Sequence, residues 1–158
     1  MNEEEFKQGL VGLYQGEILG EVLFDQMLSF FDDADKQYKI SVLMQLETET
    51  KARLRPAMMS LGLDLREQAE YREIAMKMAA SMKGKSWEET MTIILDAVRP
   101  AVEQYKAIAA VAPPKYLELA QSMVKHEQSI VDFAELELAG EQAKSINVIT
   151  QQIKNKPY

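Results

Sequence analysis

The sequence contains no cysteine. That excludes disulfide frameworks, thiolate metal sites and cysteine nucleophiles in one step. Histidine occurs once, at position 126, which leaves a Ser-His-Asp arrangement little to work with. Glycine and proline are sparse, seven and five residues, and fall mostly at joints between periodic segments. No run of Lys and Arg stands out against a net charge of −7, so neither a nucleic-acid partner nor docking on an anionic membrane is expected. No apolar stretch reaches the roughly 18 residues that a membrane span needs. The opening "MNEEEF" is acidic where a secretory signal would be basic. Together with the missing cysteine, these features lead us to expect a cytoplasmic protein.

What is present is helical periodicity. Hydrophobic residues make up 47% of 158 residues, enough for one domain with a sizeable core. Apolar residues recur at helical spacing over 3–32, 35–61, 65–83, 86–111 and 114–139. Turn and cap signals separate these segments: "FDDADK" after the first, Gly62 after the second, Gly84 after the third, "SWEE" with capping-box spacing, and "APPK". Pro56 lies inside the second helix and should kink it. A short tail helix is expected through Ile146, Ile149 and Ile153. The expected fold is all-α: two antiparallel helical hairpins joined by a crossover carrying its own short helix, with a bundle over 1–141 and a tail over 142–158. The first helix carries excess apolar residues, among them Ile18, Leu19, Val22, Leu23 and Phe30. Either a dimer face or the crossover helix should cover them, and a homodimer is the expected assembly. The ten methionines and Trp87 read as core.

Three acids break the apolar faces. On a helical wheel Glu127 lies within roughly 10° of the stripe centre of its helix, Glu17 within roughly 20°, and Glu47 about 35° off. Glu21 and Tyr14 lie a little further out than Glu17, with Gly16 and Gly20 bordering the same face, where they would let another backbone come close; Thr50 is inward one turn after Glu47. Glu17 is sixteen residues before the first turn near 33, Glu47 fourteen after it, and Glu127 about fifteen after the second turn near 112, so all three sit at one level. A buried carboxylate costs several kcal/mol unless it is paired or bound to a cation. Arg53 and Arg99 lie at the edges of their apolar faces, not aimed inward. Two solutions remain: shared protons, with Tyr14, Thr50 and Tyr105 as hydrogen-bond donors, or a divalent metal held by Glu17, Glu47 and Glu127 with Glu21 as a spare ligand. His126 sits roughly 100° from the stripe centre, a flank position that reads as a surface residue or a group behind the ligands.

The segments "YQGEILGE" (14–21), "QLETET" (45–50) and "VKHEQSI" (124–130), on this architecture, give a chain that resembles the ferritin-like superfamily of di-iron and di-manganese carboxylate bundles. That family sets a Glu on each of two helices and a Glu-x-x-His on each of the other two. Glu17, Glu47 and Glu127 match three of its glutamates, whereas Thr50 and Ile130 stand where it has histidines and Val98 occupies the third-helix slot. The resemblance implies a metal-dependent oxidoreductase using Fe or Mn, with ferroxidation, peroxide handling or hydroxylation of small molecules as family activities. Three carboxylates without imidazole would suit hard ions such as Mn²⁺, Mg²⁺ or Ca²⁺. The alternative is a bundle without metal that binds a small molecule or a partner protein.

Overall fold

The computed structural model describes residues 2–158. Met1, included in the 1–141 unit by the sequence reading, lies outside the described residues. Six α-helices make up most of the chain: α1 (Asn2–Met27), α2 (Ala34–Ser60), α3 (Ala69–Met82), α4 (Trp87–Ala110), α5 (Leu117–Leu138) and α6 (Gln142–Thr150). No strand occurs among the described residues, and no helix is long and apolar enough to cross a membrane.

Local chemistry explains most of the boundaries. The Asp33 carboxylate accepts from the Lys36 N–H at 3.0 Å and starts α2. Ser86 and Glu89 exchange backbone and side-chain hydrogen bonds at 3.1 and 2.8 Å, the capping box that starts α4. Gly62, Gly84 and Gly140 follow their helices with φ of 70°, 83° and 80°, a conformation that side chains resist. Proline in the first turn suits a helix start, and Pro114 opens a 3-10 turn, Pro114–Tyr116, ahead of α5. α2 runs through Pro56 without interruption.

Two boundaries differ from the sequence reading because distant contacts set them. α1 stops at Met27 rather than at 32, and the released Phe31 packs edge-on against Trp87 of α4 at 5.1 Å. α3 starts at Ala69 rather than at 65. The Gln15 carboxamide donates to the Arg66 carbonyl at 2.9 Å and accepts from the Gln68 N–H at 3.0 Å. It thereby holds 66–68 extended against α1. Lys51 ties the same segment down through Glu67 and Glu21 at 3.1 and 2.9 Å.

α1 packs on α2 and α4 on α5, while α1 also faces α4 and α2 faces α5. α3 lies along α1 and buries Ala75, Ala79 and Met82, so the connecting helix covers much of the apolar excess of α1. α6 lies on α5 and α2 and brings Ile149 into the core. The interior divides into two apolar clusters. One holds Phe24, Ile40, Leu46, Ile130 and Phe133; the other holds Phe6, Leu10, Leu54, Tyr105 and Met123. Between Leu46 and Leu54 lie Glu47 and Thr50, and between Met123 and Ile130 lie His126 and Glu127. A polar layer therefore crosses the core at one level.

A second buried polar group stitches four helices together. Glu137 of α5 accepts from Lys39 of α2 at 2.6 Å, Ser145 of α6 at 2.9 Å and Trp87 of α4 at 3.2 Å. The Lys39 and Glu137 side chains are 4% and 1% exposed; without Glu137 the ammonium keeps Asp35 at 3.1 Å, but without Lys39 the Glu137 charge is stranded in the interior. Lys39→Met is expected to cost about 3–5 kcal/mol in urea unfolding, and the double variant Lys39→Met/Glu137→Leu to recover most of it. Equal losses in the single and double variants would contradict this.

Candidate metal centre

Four helices supply the polar layer. Glu17 comes from α1, Glu47 and Thr50 from α2, Tyr105 from α4, and His126 and Glu127 from α5. His126, expected at the flank, is completely buried at the centre. The wheel located the apolar stripe of α5 correctly but not the width of its buried arc. His126, Ser129 and Phe133 form a second buried strip beside Glu127, Ile130 and Ala134, and what meets His126 there is polar: Glu17 of α1 and Glu47 and Thr50 of α2. His126 Nε2 lies 2.9 Å from Glu17 Oε2, 3.4 Å from Glu47 Oε2 and 3.5 Å from Glu127 Oε2. The centre thus contains an imidazole as well as carboxylates.

Partners on the far sides of these groups fix their orientation. The Thr50 hydroxyl meets His126 Nδ1 at 3.0 Å, and Tyr105 donates to Glu17 Oε1 at 3.1 Å. Thr50, at the position where the ferritin-like pattern has a histidine, therefore orients the histidine of another helix. A Cβ on Gly20 would fall 2.7 Å from Glu47 Cδ, so the bare backbone of α1 makes room for that carboxylate. At Gly16 the nearest group is the Tyr105 hydroxyl, 3.5 Å away. Neither glycine brings another backbone close.

The remaining candidates stand apart. Glu21 is partly exposed and engaged by Lys51 and Thr48. The Tyr14 hydroxyl accepts from Arg55 Nε at 3.2 Å, within the Phe6–Leu10 cluster. Arg53 leans on Met123 Sδ at 3.9 Å, close enough to feel the Glu17 charge but without an ion pair to it, and Arg99 pairs with Glu135 on the surface.

Among the described residues two buried side-chain atoms make no well-aligned hydrogen bond, Glu17 Oε2 and His126 Nε2, which meet one another as an ion pair at 2.9 Å. They are close but misaligned for a hydrogen bond with one another. Buried polar atoms are nearly always satisfied, so an orphaned pair facing a common point marks a place for a ligand. Glu17, Glu47 and His126 offer ligand atoms that all lie within 4.8 Å of one another, and the group can hold a metal ion. Glu127 borders it.

Protonation follows from burial and mutual charge. Burial pushes the Glu17 carboxyl up, but the His126 imidazolium pulls it below the ordinary value. Burial, then the Glu17 charge, drives Glu47 well above it. Burial raises Glu127 from 4.5 to about 7. For His126 burial works downward, yet Glu17 and Glu47 outweigh it and hold the imidazole well above its usual value. Burial and the surrounding carboxylates keep Tyr105 protonated, as its donation to Glu17 requires.

The fold is all-helical, and its interior holds a buried carboxylate–imidazole cluster whose ligand atoms lie close enough together to hold a metal ion. No protein-family model matches the sequence, and no curated protein or solved structure is significantly similar to it.

Two outcomes follow. In metal-free protein the folded state holds more protons than the unfolded chain at Glu47, Glu127 and His126. The acid contributions fall away as pH rises from 4.5, that of Glu127 disappearing through about 7, and the imidazolium contribution falls above 6.5 as its raised pKa is crossed. The Glu127 shift alone corresponds to about 3 kcal/mol. Metal-free protein should therefore melt lower at pH 8.5 than at pH 6, and calorimetry showing the reverse would contradict this. Gly20→Ala should displace Glu47 and weaken metal uptake while the helix, which favours Ala over Gly by about 1 kcal/mol, stays folded. Equilibrium dialysis against Mn²⁺ reads that effect.

Proposed function

We propose that this protein is a ferritin-like four-helix bundle that holds a divalent first-row metal, Mn or Fe, at Glu17, Glu47 and His126, and acts as a metal-dependent oxidoreductase. The observation that carries this reading is the orphaned pair, Glu17 Oε2 and His126 Nε2, buried 2.9 Å apart. Neighbouring ligands of an octahedral ion at about 2.1 Å sit about 3 Å from one another, and those of a tetrahedral ion about 3.4 Å. Separations of 2.9 and 3.4 Å from the imidazole nitrogen to Glu17 and Glu47 suit such a centre.

Charge supports it too. Two carboxylates, a neutral imidazole and a divalent cation sum to zero, which removes the need for protons on Glu47 and His126. With His126 Nδ1–H donating to Thr50, Nε2 carries the free lone pair a metal needs. Imidazole with carboxylates and no thiolate suits Mn or Fe better than an all-oxygen Ca²⁺ or Mg²⁺ cage. The set differs from the ferritin-like pattern: the imidazole precedes its glutamate on α5, and α4 gives a phenol instead of a carboxylate. Three mutually close ligands fit one ion rather than two. A bound Mn or Fe would supply the one-electron chemistry these side chains lack. Tyr105 and Thr50 hold Glu17 and His126 in place, Tyr105 keeps a proton beside the centre, and the two apolar clusters exclude water above and below it.

Protein produced with Fe and Mn should carry about one ion per chain by elemental analysis. Glu17→Gln and His126→Ala should retain less than a tenth of it. Metal-free wild type, or variants loaded like it, would contradict the reading. Glu127→Leu should stabilise the metal-free protein at pH 8 by about 2 kcal/mol, because apolar packing replaces a buried acid forced to ionise. Destabilisation on thermal melting would contradict that.

A further inference from the structure

α1 and α4 face one another without closing. Between them runs a groove of about 650 Å³, within the roughly 300–1,000 Å³ of small-molecule sites. On α1 its wall is Gly12, Gly16 and Gly20; on α4 it is Ala97, Val98 and Ala101. A Cβ on Gly12 would meet nothing within 4 Å, so this glycine leaves empty space rather than admitting a neighbour. At Gly9 the helices do meet, with a Cβ there falling 2.7 Å from Ile108 Cγ1, and that contact narrows the groove at this end. From Gly9 to Phe24 the helical rise makes it about 22 Å long.

Glu47, Tyr105 and Glu127 line this groove as well. Glu127 is 8% exposed, with its carboxylate beside the Tyr105 hydroxyl. Lys, Arg and His are absent from the lining. Two acids without a cation repel an anionic head group, and no charged residue lines either end of the groove to receive a cationic one. Apolar walls, elongated shape and missing positive charge together select a neutral, chain-like ligand.

We propose that the groove between α1 and α4 binds a neutral, elongated apolar molecule, such as a long-chain alcohol, aldehyde or hydrocarbon, and lays its middle against Glu47 and Glu127. This adds a substrate class to the metal-centre reading, but occupancy of the groove does not require the ion. Gly16 and Gly20, opposite Tyr105 and Glu47, place that contact part-way along the groove rather than at its end.

The test uses 1-decanol and decanoate as probes, titrated calorimetrically at pH 8 into metal-free and metal-supplied protein. Decanol should saturate at one per chain, with decanoate at least tenfold weaker. Gly12→Leu and Ala101→Leu, which fill the groove away from the carboxylates, should each weaken decanol at least tenfold. Metal content, melting temperature and the molar mass from light scattering should stay as in wild type. No saturable decanol binding, binding undiminished in both variants, or decanoate binding as well as decanol would overturn the proposal. A change of molar mass in the variants would overturn it in favour of an interface between copies of this chain. Decanol binding to protein that takes up no metal would sink the metal centre and leave the groove ligand standing; metal uptake without decanol binding would do the reverse.

Discussion

The contact between the His126 imidazole and the Glu17 carboxylate is the constraint around which the rest of the molecule is arranged. Acids that would each cost several kcal/mol alone meet at one level of an apolar interior. Tyr105 donates to Glu17 from α4, and Thr50 meets the far nitrogen of His126 from α2. The two hydrophobic clusters above and below are the consequence: neither runs through the layer that separates them.

A comparison inside the same core shows why this layer reads as a site rather than as structure. Glu137 is as deeply buried as Glu17, yet three donors from three other helices satisfy it. That arrangement is complete and asks for nothing further. At Glu17 and His126 one atom of each group makes no well-aligned hydrogen bond, and the two meet only as an ion pair in the interior. A fold able to finish one network leaves the other unfinished. A divalent cation would complete it, and the open side toward α1 and α4 gives a second molecule access to Glu47 and Glu127.

Much of this was legible in the sequence, for reasons of geometry. Helical period and cap residues located the helices, and counting residues from the turns put Glu17, Glu47 and Glu127 at one height. What escaped was set by distant partners. His126 looked peripheral because the wheel weighs only apolar neighbours, while the groups that meet it in the core are polar and come from other helices: Glu17 of α1 and Glu47 and Thr50 of α2. Nothing local to 65–68 signals that Gln15 will hold 66–68 out of a helix. The Glu137 network joins residues up to 98 positions apart and leaves no periodic trace. The groove was half visible: Gly16 and Gly20 were seen as places for close approach, but only the packing shows a side chain at Gly20 and open space at Gly12.

Anomalous X-ray scattering at the Mn and Fe edges, from crystals of protein supplied with both metals, tests the central claim most directly. The account predicts one peak per chain, about 2.0–2.3 Å from Glu17 Oε2 and His126 Nε2, with a Glu47 oxygen completing the group. A well-diffracting crystal with no peak at that point, or with the ion bound only elsewhere, would contradict it.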